Sequence, residues 1–97
     1  MARWVVIFDD TPAMLEVRKA REPDHLRFLE KHGDTIKIAG GLRELPGDPY
    51  VGGLWVVEAE GRDELVALVE SDPYFVPAHR RYRILAWGKA IDRPVVL

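Results

Sequence analysis

Residues 21–33 read Arg-Glu-Pro-Asp-His-Leu-Arg-Phe-Leu-Glu-Lys-His-Gly, and the helix that they predict organises the rest of the chain. Pro23 suits the first turn of a helix, where a missing N–H costs nothing, and Gly33 suits the position just past the end. At about 100° per residue, three apolar side chains share one arc of this helix: Leu26, Phe28 and Leu29. The stretch therefore predicts an amphipathic helix that begins near Pro23 and ends before Gly33.

His25 falls in the middle of the apolar arc rather than among the charged residues of this helix. Its imidazole is therefore expected to point inward. In the predicted first turn, the positive end of the helix dipole would favour a neutral, basic ring. Two interpretations are open: a core histidine bonded to a carbonyl group, or a general base that faces a site.

Composition restricts the class of protein. The chain has 97 residues, 47% of them hydrophobic, which suits a single small domain over residues 1–97 whose thin core would gain from burial between subunits. The net charge is −2 with acids and bases interspersed, so no basic patch for nucleic acid is expected. The absence of cysteine excludes disulfides and thiol chemistry. Without a signal-peptide pattern or a membrane-spanning run, we expect a soluble cytoplasmic protein with no nucleic-acid or membrane partner.

Strand and helix signals alternate along the chain. Strands are predicted at 3–9, 35–41, 54–58 and 80–87, and a second helix at 62–70. A short helical segment is predicted from residues 11–12 to Arg18 or Ala20, separate from the helix at 21–33. The order β-α-β-β-α-β is typical of the ferredoxin-like α+β fold, in which two helices cover one face of a four-stranded antiparallel sheet.

The opposite sheet face is left without a cover by this arrangement. In the first strand, Val5 and Ile7 lie on the face opposite Trp4, Val6 and Phe8, so both faces are apolar. The third strand is apolar on both faces as well. Because an exposed apolar sheet of this size marks an interface, we expect a homodimer formed sheet face against sheet face. The apolar tail, Val95-Val96-Leu97, is expected to cross onto the partner.

Asp72 is the best candidate for a partner of His25. It follows the second helix, and both helices are expected to pack on the same sheet face. A carboxylate bonded to one ring nitrogen would fix the tautomer and make the other nitrogen a better base. The alternative is that Asp72 only caps the turn opened by Pro73. Asp48-Pro49-Tyr50 repeats the tripeptide in a long loop, which shows that it arises easily.

Further candidates come from the segments on either side of the predicted helix. Arg18 and Arg21 precede it and are candidates to hold an anionic substrate, although arginines at such positions are commonly solvated. Gly40-Gly41 suits either a close approach to a ligand or a bulge or turn. No histidine and carboxylate pair has the spacing of a zinc or iron site, so no metal is expected.

The order of several short motifs resembles the YciI-like (YCII-related) family. The motifs are an arginine-rich segment leading to His25-Leu26 and Phe28-Leu29, a strand closing on Ala39-Gly40, a strand with Val57-Glu58-Ala59, and Asp72-Pro73-Tyr74. Members of this family have a ferredoxin-like fold that pairs into a dimeric α/β barrel, similar to muconolactone isomerases. The resemblance implies a His–Asp pair at His25 and Asp72. Gly41 and Tyr74 are further candidate substrate-binding residues.

Two functions follow from these observations. A characterised relative in this family removes chloride from a chlorinated hydroxyquinol, which implies proton transfer and elimination without a cofactor. The first hypothesis is therefore a cofactor-free lyase or isomerase acting on a small, aromatic or anionic substrate. His25 would be its base, Asp72 the partner that orients the base, and Arg18 or Arg21 an anion clamp. The second hypothesis is a non-catalytic small-molecule-binding or regulatory module, in which the same pocket only recognises a metabolite.

Overall fold

Four strands and two helices follow each other in the order β-α-β-β-α-β in the computed structural model, which describes residues 1–97. The elements are β1 (Ala2–Asp10), α1 (Met14–Lys31), β2 (Ile36–Leu42), β3 (Gly52–Ala59), α2 (Arg62–Ser71) and β4 (Arg80–Ala86). The strands form one sheet in the order β2-β3-β1-β4, and every neighbouring pair is antiparallel. The predicted ferredoxin-like α+β fold is confirmed.

The core lies between the helices and one face of the sheet. Alternation along the two central strands sends every second side chain toward the helices, and Phe8 and Trp55 meet there edge to face with ring centroids 5.0 Å apart. The buried cluster comprises Val6, Phe8, Phe28, Ile36, Trp55, Val57, Ala59, Leu65, Val69 and Ile84. Both helices contribute to it, so burial of this sheet face fixes the position of α1 above the sheet.

The prediction of two separate helical segments before β2 is wrong. A single helix runs from Met14 to Lys31 with Pro23 inside it. A proline in a helix interior leaves the carbonyl of the residue four positions earlier without its donor, here Lys19. Both residues are exposed, so water can satisfy that carbonyl, and packing of α1 on either side holds the helix together. His25 consequently lies eleven residues after the first helical residue, far from the positive end of the dipole.

The apolar arc expected for residues 21–33 is only partly buried. Phe28 is buried and Leu29 half-buried, but 55% of Leu26 is exposed. Because α1 begins well before Pro23, its buried positions also include Met14. The part of the helix around Leu26 borders a cavity instead of filling the core, as described below.

The sheet face that points away from the helices carries apolar side chains, and neither helix covers it. Val5 pairs with Val56 and Leu85 in neighbouring strands, and Ile7 pairs with Leu54. On this face Leu85 is 45% exposed, and the first central strand contributes two half-buried residues. The last eleven residues, 87–97, contain no helix or strand. No helix of the chain combines the length and apolarity needed to cross a membrane.

Candidate active site

A cavity of about 160 Å³ opens between α1 and the sheet. Its floor is made by buried side chains, and its mouth by exposed residues of α1, of β2 and of the loop after β2. The floor residues are Phe8, Trp55, Tyr74 and Arg80, and the mouth residues include Glu22, Leu26, Gly41 and Tyr50. His25 and Arg18 project into it from α1. The floor is therefore largely aromatic, and the charged or titratable groups of the whole lining are two arginines, a histidine and, at the mouth, Glu22.

His25 and Asp72 are hydrogen-bonded, with Nδ1 of the ring 2.7 Å from Oδ1 of the carboxylate. Only 2% of the Asp72 side chain and 12% of the His25 side chain are exposed. A carboxylate can only accept here, so Nδ1 carries the proton and Nε2 is left as the basic nitrogen. Nε2 has no hydrogen-bond partner in the chain. His25 lines the cavity, and in this neutral tautomer its second ring nitrogen is free to accept a proton.

Asp72 also serves the turn after α2. It ends the helix in an extended conformation, as expected of a residue before proline, and its Oδ1 accepts the backbone N–H of Tyr74 at 3.0 Å. The same oxygen atom, Oδ1, therefore caps the turn and bonds to His25. The turn fixes the carboxylate, and the carboxylate in turn orients the ring.

Tyr74 completes the support of His25. The two rings are stacked, with centroids 3.7 Å apart and planes inclined by 10°. Tyr74 is only 2% exposed. Burial raises the pKa of its phenol, an effect that the nearby Arg18 guanidinium opposes. The phenol therefore stays neutral near pH 7, where it donates a long hydrogen bond of 3.4 Å to the carbonyl of Arg18.

Two arginines share one buried carboxylate at the sheet end of the cavity. Arg80 donates through Nε and Nη2 to Asp10 at 2.7 and 3.0 Å, a bidentate pair. Arg18 reaches the same carboxylate at 3.5 Å and donates to the carbonyl of Gly52 at 2.8 Å. The side chain of Asp10 is 1% exposed, and Nε of Arg18 is buried without any acceptor. Two guanidinium groups and one carboxylate leave this end of the cavity with an excess positive charge, which suits an anionic group.

The remaining predicted site residues are divided between the cavity and the surface. Gly41 lies at the mouth. Arg21 is not brought to the cavity, because it is exposed on α1 and its Nη1 donates to the carbonyl of Pro73 at 3.1 Å. Arg18, which points inward from the same helix, is the arginine placed to meet a ligand.

Sequence reasoning missed Arg80 and Tyr50 as cavity residues. A usable signal existed for Arg80, since Asp10 and Arg80 face each other at matching ends of β1 and β4 in the antiparallel register. Opposite charges aligned at the ends of neighbouring strands indicate a pair. No comparable pattern marks Tyr50, which reaches the cavity from a loop. No group of three or more potential metal ligands lies together.

Comparison with models of protein families identifies the family of this chain. A family model described as the YCII-related domain matches residues 2–88. The match spans most of the chain, so the protein belongs to the YCII-related domain family, as its motifs had indicated. No protein of curated function matches the sequence significantly.

A solved structure of similar fold is that of 5-chloro-2-hydroxyhydroquinone dehydrochlorinase (TftG) from Burkholderia phenoliruptrix AC1100, in complex with 2,5-dihydroxybenzoquinone. The two structures superpose with a TM-score of 0.77, and the match covers 89% of this chain and 93% of the dehydrochlorinase. The sequences are 24% identical over it. The similarity shows that the two proteins share the ferredoxin-like fold.

The buried phenol of Tyr74 should ionise later than a free tyrosine, whose pKa is about 10. Absorbance at 295 nm, which reports tyrosinate, is to be followed with pH for the wild type and for Tyr74→Phe. The difference between the two curves isolates Tyr74 and should have its midpoint above pH 10. Because the folded-state pKa is raised, the associated stability is present below about pH 10 and is lost as pH rises through the folded value. A midpoint at or below 10 in a sample that circular dichroism shows to be folded would contradict this.

Proposed function

We propose that this protein is a cofactor-free enzyme of the lyase or isomerase type, in which His25 is the general base. The observation that carries the proposal is the 2.7 Å hydrogen bond from Nδ1 of His25 to the buried Asp72 carboxylate. This bond holds the proton on one nitrogen and leaves the other free to accept a proton from a bound molecule. The stacked ring of Tyr74 at 3.7 Å restricts rotation of the imidazole, so the base is already oriented before a ligand enters.

The charges of the cavity suit a proton transfer. When Nε2 of His25 takes a proton from an acidic O–H or C–H of the substrate, the imidazolium is neutralised by Asp72. The electron pair left on the substrate develops as an anion, and the guanidinium of Arg18, which lines the cavity, offers it a positive charge. Return of the proton at another atom completes an isomerisation. In an elimination, the electron pair forms a new double bond while the leaving group departs with the electrons of its own bond. Neither course requires a cofactor.

The cavity suits a compact planar substrate. A cavity of about 150 Å³ is enough to hold benzene, and the volume here is about 160 Å³. Aromatic side chains make most of the floor, and arginine supplies the donor for a phenolate, enolate or carboxylate oxygen. The ligand of the similar dehydrochlorinase, 2,5-dihydroxybenzoquinone, is a single oxygenated ring of this class. We therefore propose a small aromatic or anionic substrate.

We also propose that two copies of the chain pair through the sheet face opposite the helices. This face is apolar at its centre, and neither helix covers it. Exposed apolar side chains there include Ile38, Leu42, Leu85 and Trp87. Burial against an identical face would remove this surface from water. The tail, of which Val96 is 97% exposed, is free to contact the partner.

Replacement of His25 by glutamine should remove turnover and keep binding. Glutamine retains a polar side chain of similar size but cannot take up a proton near pH 7, so kcat should fall by about 10² to 10⁴ while KM changes little. Asp72→Asn should lower kcat too, because it removes the charge that stabilises the imidazolium. The first assay is chloride release from 5-chloro-2-hydroxyhydroquinone, followed by a panel of halogenated hydroquinones and enolisable aromatic acids.

His79→Gln is the matched control for this experiment, because His79 lies outside the cavity and its loss should leave kcat unchanged. Full turnover in His25→Gln would show that His25 is not the base. A protein that binds members of the panel and turns none of them over would instead support the ligand-binding module.

Sheet-face pairing predicts a dimer in solution. Sedimentation at low micromolar concentration should give about twice the 11.1 kDa mass of one chain. Ile7→Glu places a charge on the uncovered face and should yield a folded monomer, since it would bury an unpaired carboxylate in the dimer. Ala67→Glu adds the same charge to an exposed position of α2 and should leave the dimer intact. A wild-type monomer at this concentration would contradict the proposal.

A further inference from the structure

Tyr50 packs against the cavity mouth in a position that only glycine at residue 41 allows. Tyr50 belongs to the loop between β2 and β3, and its ring lies against Gly41 in β2. A Cβ atom at residue 41 would lie 2.4 Å from Cδ1 of the tyrosine ring, closer than Cβ atoms approach other atoms. The absence of a side chain at residue 41 is therefore what admits the ring.

Two guanidinium groups hold the ring of Tyr50. Arg18 lies 4.6 Å and Arg43 4.9 Å from its centroid, both within the range of cation–π contacts. The end of the loop is fixed as well, because the backbone N–H of Val51 donates to Leu42 at 2.8 Å and its carbonyl accepts from Asp10 at 2.9 Å. Contacts to the ring and hydrogen bonds of the next residue's backbone thus both fix the position of Tyr50.

The position of Tyr50 determines how far the cavity extends. The floor side chains Trp55 and Tyr74 are each 2% exposed, whereas Tyr50 is 37% exposed and Leu26, on the α1 side of the mouth, is 55% exposed. Tyr50 therefore bounds the cavity on its loop side. The same ring contacts Arg18, the residue with the unpaired buried donor. Because the ring of Tyr50 contacts Arg18, it limits the space beside an anionic group held by Arg18.

We propose that Tyr50 is the specificity-determining residue of this site and limits its ligands to a single ring. The proposal rests on the proposed function insofar as it places the substrate in this cavity, and it adds the size of the substrate and the residue that sets it. The volume of about 160 Å³ holds one ring with its oxygen substituents, and a second fused ring would require the space that Tyr50 occupies. Truncation of Tyr50 opens that space without touching the floor.

The test compares binding of 4-hydroxybenzoate and 6-hydroxy-2-naphthoate by isothermal titration calorimetry. The two probes carry the same groups, a carboxylate and a phenol, on one ring and on two. Wild type should bind the one-ring probe at least tenfold more tightly. Tyr50→Ala should reduce that preference to about twofold or reverse it, and Tyr50→Phe should keep it, because the ring remains.

Gly41→Ala gives an independent perturbation of the same contact. Its Cβ displaces the ring of Tyr50, so the preference should fall as it does in Tyr50→Ala. Gly61→Ala is the control, since a Cβ there meets nothing within 4 Å and Gly61 is remote from the cavity, and it should keep the wild-type preference. Circular dichroism checks that each variant is folded.

The proposal is overturned if Tyr50→Ala keeps the wild-type preference, if wild type binds both probes equally, or if wild type binds neither. The size limit does not depend on proton transfer, so His25→Gln should show it as well. Loss of turnover without loss of the preference, or the reverse, therefore separates a failure of the proposed reaction from a failure of this inference.

Discussion

A carboxylate withdrawn from water must receive hydrogen bonds, and the way Asp72 meets this requirement organises the site. Its Oδ1 accepts from Nδ1 of His25 and from the backbone of Tyr74, while 2% of the side chain is exposed. The first bond joins α1 to the turn after α2, and the second shapes that turn. The stacked Tyr74 ring follows directly, because the turn delivers it beside His25. The shape of the turn, the tautomer and the ring orientation thus depend on one oxygen atom.

At the cationic end of the cavity, two arginines meet one buried carboxylate. Asp10 is saturated by a bidentate pair with Arg80, which leaves Arg18 only weakly held by the same carboxylate. Breaking the pair with Arg80 would strand a buried charge, whereas Arg18 meets Asp10 only at 3.5 Å and donates to the carbonyl of Gly52 at 2.8 Å. One arginine therefore supports the site and the other is available to it. In the proposed reaction, the base at one side and the cation at the other would both serve the developing anion.

The sequence was sufficient for the fold, because alternating apolar residues in β1 and β3 and the order of the elements specify a two-layer α+β sheet. The sequence also suggested Asp72 as the partner of His25, and the two side chains are hydrogen-bonded, although their catalytic roles stay predictions. It failed where tertiary contacts override local preference. Pro23 indicated a helix start, yet packing before and after it supports one continuous helix with an exposed proline. The sequence did not predict Tyr50 as a cavity residue for a related reason. Its position depends on the absence of a side chain at Gly41.

The central claim is that Asp72 holds the proton of His25 on Nδ1 and leaves Nε2 as the base. Long-range ¹H–¹⁵N correlation spectra of the ¹⁵N-labelled protein at pH 8 distinguish the two ring nitrogens, and the spectrum of His25→Gln assigns the signals among the three histidines. The account predicts a protonated Nδ1 and an unprotonated Nε2 for His25. A proton on Nε2, or the mixture of tautomers found in a free imidazole, would contradict it.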